Sequence, residues 1–268
     1  MRAKKIILTV LAIGLISIYL VPMIWMGLAS FKAEKDILSG KWIPTQWYLE
    51  NYEIIFKRAK IGRWFMNSLI TAFFGTLGII TVGLFAAYSV SRMNYPGRKI
   101  LYFLALSGFM IPIQAIMIPL YLLLRNLGLA NNLLGLILPA FPSPFAVFIL
   151  AQFMKEIPLE YEEVARIDGA NEFQILFNVI VPMSIPAIIT VTVFHFTALW
   201  NDFLWPLILM TSDDKYTLPV GLVTLAGSDV NIRYGPIMAA NVVASIPVII
   251  TFIFFQRYLT RGFAMGMK

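Results

Sequence analysis

Residues 173–201 read FQILFNVIVPMSIPAIITVTVFHFTALWN, without a single Lys, Arg, Asp or Glu. A bilayer core about 30 Å thick is crossed by roughly 20 apolar residues in a helix, and this run exceeds that length. Five more charge-free runs stand elsewhere: Ile6–Phe31, Trp64–Ser91, Ile100–Leu124, Asn126–Met154 and Tyr234–Gln256. Lipid offers the backbone no hydrogen-bond partner, so each run is predicted to be helical. The spans are placed at 6–28, 67–91, 101–124, 133–153, 187–210 and 237–258. The expected fold class is all-α integral membrane, a six-helix transmembrane bundle forming one domain over 1–268.

Composition points the same way. Soluble domains are about 45–50% apolar and about 25% charged; here the fractions are 59% and 13%, and the mean hydropathy is +0.80. A water-soluble enzyme and a disordered chain are both excluded. The absence of cysteine rules out disulfides and thiolate metal sites. The sole histidine, His195, argues against zinc, which needs several nitrogen or sulfur ligands. The net charge of +7 suits loops beside anionic headgroups rather than nucleic acid.

The first run follows Arg2, Lys4 and Lys5, as a signal peptide would. Its apolar core is longer than a signal core, and Gly27–Ala29 is a weak cleavage match, so it is read as an uncleaved first span. The short basic tail and the tight 91–100 turn with Arg92, Arg98 and Lys99 favour an inside N-terminus. Six spans then leave both termini inside. Segment 30–66, with Trp42, Pro44, Trp47 and Tyr48, reads as external, either a short helix at the membrane interface or a plain connecting loop.

Gly75, Gly78 and Gly83 in span 2 are read as packing positions, where small residues let helices approach. Pro112, Pro119, Pro139, Pro142 and Pro144 imply kinks or breaks in spans 3 and 4. In span 5, His195 and Asp202 are seven apart and would lie within about 20° of one another on a helix. Asp202 is the only acid inside any predicted span. Ionisable groups in a membrane face a bundle interior or a watery cavity. Two readings stay open: His195, Trp200, Asn201 and Asp202 line a polar pathway, or Asp202 makes an inter-helix bond to a residue such as Gln114 or Asn241.

Between spans 4 and 5 the chain turns acidic. Residues 155–172, KEIPLEYEEVARIDGANE, carry Glu156, Glu160, Glu162, Glu163, Asp168 and Glu172 against Lys155 and Arg166. Pro158 suits a first helical turn. Leu159–Ile167 predicts two turns of helix, Gly169 a left-handed stop, and Asn171 the N-cap of a second short helix with Glu172 at its positive end. A compact helix–turn–helix over 155–182, held out of the membrane, is a docking surface for a basic groove on a soluble partner.

The run Glu163-Val164-Ala165, then Gly169, then Val179-Ile180-Val181-Pro182 resembles the cytoplasmic signature of ABC-importer permeases. That signature reads Glu-Ala-Ala, three residues, Gly, nine residues, Ile-x-Leu-Pro. The departures, Val164, Val179 and Val181, are small apolar exchanges. The fuller run Glu162–Ala170, EEVARIDGA, is similar to the carbohydrate-uptake branch. Asn67-Ser68-Leu69, Ala87-Tyr88 with Arg92, Ile111-Pro112, Ile118-Pro119-Leu120-Tyr121 and Trp200-Asn201-Asp202-Phe203 agree with it. The ending Gln256-Arg257-Tyr258, Gly262, Gly266 and Lys268 resembles the shorter of the two maltose-permease subunits.

The resemblance implies a multi-pass subunit of a prokaryotic inner membrane. It implies a second homologous permease, two cytoplasmic ATPase subunits and an extracytoplasmic solute-binding protein. ATP and Mg would be held by the partner ATPase, and no cofactor by this chain. Glu162, Glu163, Ala165, Asp168, Gly169 and Ala170 would contact the ATPase through the 155–182 coupling loop. The tail, Gly262, Gly266 and Lys268, would also reach it. Consistently, no phosphate-binding loop is present: the sole Gly-Lys, Gly40-Lys41, is followed by Trp42 rather than Ser or Thr. The expected cargo is a sugar or oligosaccharide, with a solute such as glycerol phosphate as the alternative. An ion-coupled carrier would need paired ionisable residues in several spans, and a membrane enzyme a nucleophile–base pair.

Overall fold

The computed structural model describes residues 2–57, 60–227 and 233–265. Its described residues form helices and turns, with no strand among them. In chain order the helices are α1 (Arg2–Ala29), α2 (Glu34–Leu38), α3 (Glu50–Lys57), α4 (Ile61–Arg92), α5 (Arg98–Ser107), α6 (Ile113–Asn126), α7 (Leu134–Ile137), α8 (Pro144–Glu156), α9 (Glu160–Ile167), α10 (Glu172–Ile175), α11 (Val181–Met183), α12 (Ile185–Trp200), α13 (Leu204–Leu209), α14 (Leu218–Gly227) and α15 (Tyr234–Met265). Within these, Leu8–Ala29, Ile61–Arg92 and Tyr234–Gln256 are each long and apolar enough to cross a bilayer. Three bent pairs raise the number to as many as six. The chain, read as one domain from sequence, divides into two compact units, Met1–Phe65 with Leu218–Pro247 and Met66–Thr217 with Val248–Lys268.

In the first unit, residues 8–24 of α1 are exposed throughout, a surface suited to lipid or another apolar helix. Residues 30–57 of the segment are folded and carry two helices, α2 and α3. Asn51 is buried and donates its amide to the carbonyls of Ser30 and Lys32, both at 2.9 Å. Phe31 packs against Tyr52 and Trp47 at 5.0 and 5.5 Å. Asp36, also buried, accepts from the Thr45 N–H at 3.1 Å and the Lys41 ammonium at 3.3 Å. Hydrogen bonds from Thr45 lead in holding its carboxyl below the usual range, and Lys41 adds to them against the upward push of burial. Glu34 accepts from the first N–H groups of α15, Tyr234 at 3.1 Å and Gly235 at 3.3 Å. Those groups have no partner inside the helix, and the carboxylate sits at its positive end.

In the second unit, the α4 glycines serve packing. A Cβ on Gly75 would meet Leu199, one on Gly78 would overlap the Phe141 ring, and one on Gly83 would press on Ala146. Around this seam the buried core gathers Ile79, Tyr88, Leu150, Met154, Ile175, Ile180 and Val191.

Three predicted spans are broken. Span 101–124 bends by 98° between α5 and α6, where Ile111 is extended ahead of Pro112, the conformation a following proline favours. Span 133–153 bends by 40° between residue 140 and α8, with Ser143 extended and its hydroxyl accepting from the Ala146 N–H as an N-cap. Ahead of span 187–210, a π-turn at Leu176–Ile180 and α11 meet α12 at 77° across Ser184, between Pro182 and Pro186. The span itself needs correcting: α12 ends at Trp200, residues 201–203 are not helical, and α13 is a separate short helix. Asp202 is therefore not a turn-mate of His195 on one helix. It lies in the break.

Candidate coupling site and pathway residues

The loop between α8 and α12 is built by its local chemistry. Ile157 is extended before Pro158 and ends α8. Glu160, Glu162 and Glu163 crowd the first turn of α9, where the helix dipole favours anions. Gly169 takes φ +84°. Its N–H donates to the Arg166 carbonyl at 3.0 Å, and the Ala170 N–H reaches back to the Ala165 carbonyl at 2.9 Å, a glycine-closed helix end. Asn171 then caps α10: its side chain accepts from the Gln174 N–H at 3.0 Å, and its own N–H donates to the Gln174 side chain at 2.8 Å. Such a reciprocal cap satisfies two otherwise free donors.

The six sequence-predicted loop residues separate into two groups. Glu163, Asp168 and Gly169 are exposed. Ala165 and Ala170 are half-buried against the inner core. Glu162 has to be corrected as a partner-contacting residue: it is 0% exposed and ion-paired to Arg92 and Arg166 within the chain. A carboxylate buried in this way persists because it is paired.

The outward face holds residues that the charge argument missed. Tyr161, Val164 and Ile167 are exposed, Ile167 at 84%. They recur every third residue along α9, the spacing of one helix face, so the knob is apolar at its centre and acidic at its edges. That periodicity was the available signal, masked by the six acids. Sequence reasoning also missed Arg92 and Tyr88 as parts of this site, and the bonds that tie Glu172 to it. Tyr88 donates its hydroxyl to Glu172 at 2.6 Å, and Glu172 accepts from Arg166 at 3.0 Å.

The four pathway residues are not gathered on one face. The His195 ring nitrogen Nε2 lies 2.9 Å from the Ser143 hydroxyl, and the ring stands edge-on to Phe145 and Phe194. Trp200 is 2% exposed and stacks on Phe196. Asn201 is exposed and donates back to the Thr197 carbonyl at 2.9 Å. Asp202 is half-buried in the non-helical stretch between α12 and α13. An apolar groove of about 600 Å³ lies apart from all four, lined by Phe74, Leu134 and Phe141 with Thr81 as its one hydroxyl, and offers a sugar little to bond. In the tail, Gly262 falls within α15, whereas Gly266 and Lys268 lie outside the described residues.

Residues 79–265, which include the whole knob, match the family described as binding-protein-dependent transport system inner membrane component. The chain is 38% identical over 253 residues to the diacetylchitobiose uptake system permease protein NgcG of Streptomyces coelicolor, covering 93% of this chain and 84% of that one. It is 31% identical over 267 residues to the trehalose/maltose transport system permease protein MalG of Thermococcus litoralis, covering 98% and 96%. A chain in the crystal structure of a bacterial ABC transporter involved in the import of the acidic polysaccharide alginate superposes with a TM-score of 0.87 at 26% identity, over 96% of this chain and 97% of that one. With its apolar helices, its kinked spans and its Gly-closed acidic knob, this chain belongs to the family of inner-membrane components of binding-protein-dependent transport systems.

Proposed function

We propose that this chain is a permease subunit of an ATP-driven importer of a sugar or oligosaccharide, and that it couples to a cytoplasmic ATPase through the outward face of α9 and α10. The observation that carries the reading is that face: Tyr161, Val164 and Ile167 exposed at its centre, with Glu163 and Asp168 beside them. A monomer has no use for so exposed an apolar face outside the membrane. The sugar cargo rests on relatives named for diacetylchitobiose and for trehalose/maltose. A second permease completes the pathway, two ATPase copies hold ATP and Mg, and a solute-binding protein delivers cargo from outside. Both termini lie in the cytoplasm, and the tail from Gly262 approaches the ATPase.

In this reading, nucleotide binding draws the two ATPase copies together, the knobs follow, and the spans rock between inward and outward openings. Asn201, exposed at the break after α12, is the pathway residue best placed to offer a sugar a hydrogen bond. His195, Trp200 and Asp202 hold the wall behind it. Reconstitution of the chain with its membrane and ATPase partners in vesicles tests the proposal: sugar uptake should require ATP and the binding protein, and uptake by this chain alone without nucleotide would overturn it.

A further inference from the structure

The chain passes from α8 into the knob through the short stretch Ile157-Pro158-Leu159, and Ala165 and Ala170 lean on the core above it. Apolar contact of this kind is non-directional and does not by itself fix the angle of the knob about that stretch. One side chain spans that stretch. Arg92, in the last turn of α4 and 4% exposed as a side chain, donates through Nη1 to the carbonyls of Met154 at 3.0 Å and Ile157 at 2.9 Å. Through Nε it pairs with Glu162 on α9. The same guanidinium therefore holds the end of α8, the first residue of the connecting stretch and the knob after it.

A second path closes a ring. The other Glu162 oxygen faces Arg166 at 3.6 Å. Arg166 holds Glu172, and Glu172 accepts from Tyr88, which stands one turn before Arg92 on α4. Both ends of the ring are thus on one helix, and both knob helices hang from it. A buried ion pair gives little net stability over apolar packing, but it fixes geometry. The planar, multi-donor fork of arginine suits three acceptors at once.

We propose that Arg92, acting through Glu162, is a positioning residue that makes the knob and the adjoining ends of α4 and α8 move as one body, so that displacement of the knob reaches the spans. The inference rests on the docking role proposed above. Arg92 and Glu162 face inward, away from the outward face of α9, so their loss uncouples the machine without detaching the ATPase.

The test uses the full complex in vesicles and reads solute moved per ATP hydrolysed, with ATPase retention on co-purification as an independent measure. Glu162→Gln and Arg92→Met should keep the ATPase, continue to hydrolyse ATP, and lower the ratio at least fivefold. Glu162→Asp and Arg92→Lys, which keep the charges, should restore part of it. Because the chain has no cysteine, spin labels on single cysteines at Asn94 and Glu160, both exposed, can report the distance between α4's end and the knob; its distribution should broaden in Glu162→Gln. A retained ATPase with an unchanged ratio and an unbroadened distance would overturn the proposal. So would failure of all four variants to assemble, which would make the pair a folding requirement only. If the docking role itself is wrong, the outward variant Ile167→Asp keeps the ATPase, an outcome that the inward variants do not decide.

Discussion

Ser143 and His195 meet at 2.9 Å, joining the break before α8 to the middle of α12. The hydroxyl that faces the imidazole also accepts from the Ala146 N–H at 3.2 Å, so one oxygen serves a cap and an inter-helix bond. Ser143→Ala should lower stability by about 1–2 kcal/mol, the worth of an N-cap plus a neutral hydrogen bond. His195→Ala should cost less than Phe145→Ala, which removes a ring stacked on Phe194. Thermal unfolding of the purified complex checks the order, and a larger cost for His195 would assign that ring a role beyond packing.

Gly169 sits at φ +84° with open space where a Cβ would stand. The obstacle to a side chain is therefore backbone conformation rather than crowding. A β-branched residue at positive φ is a genuine outlier, and Gly169→Val should unseat the α9–α10 turn at a cost on the order of 1–3 kcal/mol. Gly169→Asn, which tolerates the left-handed region, should retain most uptake. Equal loss from both substitutions would point to a direct contact at this position.

Gly78 makes the opposite case. It has ordinary backbone, but a Cβ would overlap the Phe141 ring. Gly78→Val should destabilise the complex by about 1–3 kcal/mol through overpacking, and pairing it with Phe141→Leu should recover part of that. Unfolding in detergent reads both, and full additivity of the two changes would show that the contact is not shared.

Asp36 supplies a pH dependence. Its folded-state carboxyl is held below the usual range, chiefly by hydrogen bonds from Thr45. A depressed folded pKa contributes stability above the unfolded value of about 3.9 and loses it as pH falls through the folded value. Segment 36–45 should therefore loosen below about pH 4, and Asp36→Asn should abolish that step. Hydrogen exchange at the Thr45 amide across the acid range measures it.

Much of this architecture is legible from the chain because its causes are local. Charge-free length specifies helix in lipid, Pro112 and Pro142 mark breaks, and Gly169 and Asn171 carry their turn and cap chemistry within a few residues. What was not legible depends on distant partners. Glu162 and Glu163 are adjacent and chemically alike, yet one is buried because Arg92, 70 positions earlier, reaches it. Asp202 looked like a polar residue inside a span because charge-free length outweighed Pro206, whose missing N–H leaves the carbonyl four residues back, that of Asp202, without a helical partner. The apolar face of α9 was outweighed by the acids around it, although Tyr161, Val164 and Ile167 have helical spacing.

The central claim is that the outward face of α9 holds the ATPase. Ile167→Asp places a charge at its most exposed apolar position and touches neither the Arg92–Glu162 pair nor the Gly169 turn. The decisive measurement is the amount of ATPase that co-purifies with this variant, set against the amount of chain inserted in the membrane. The account predicts at least a tenfold fall, about 1.4 kcal/mol of binding, with insertion unchanged; ATPase recovered at the wild-type ratio would contradict it.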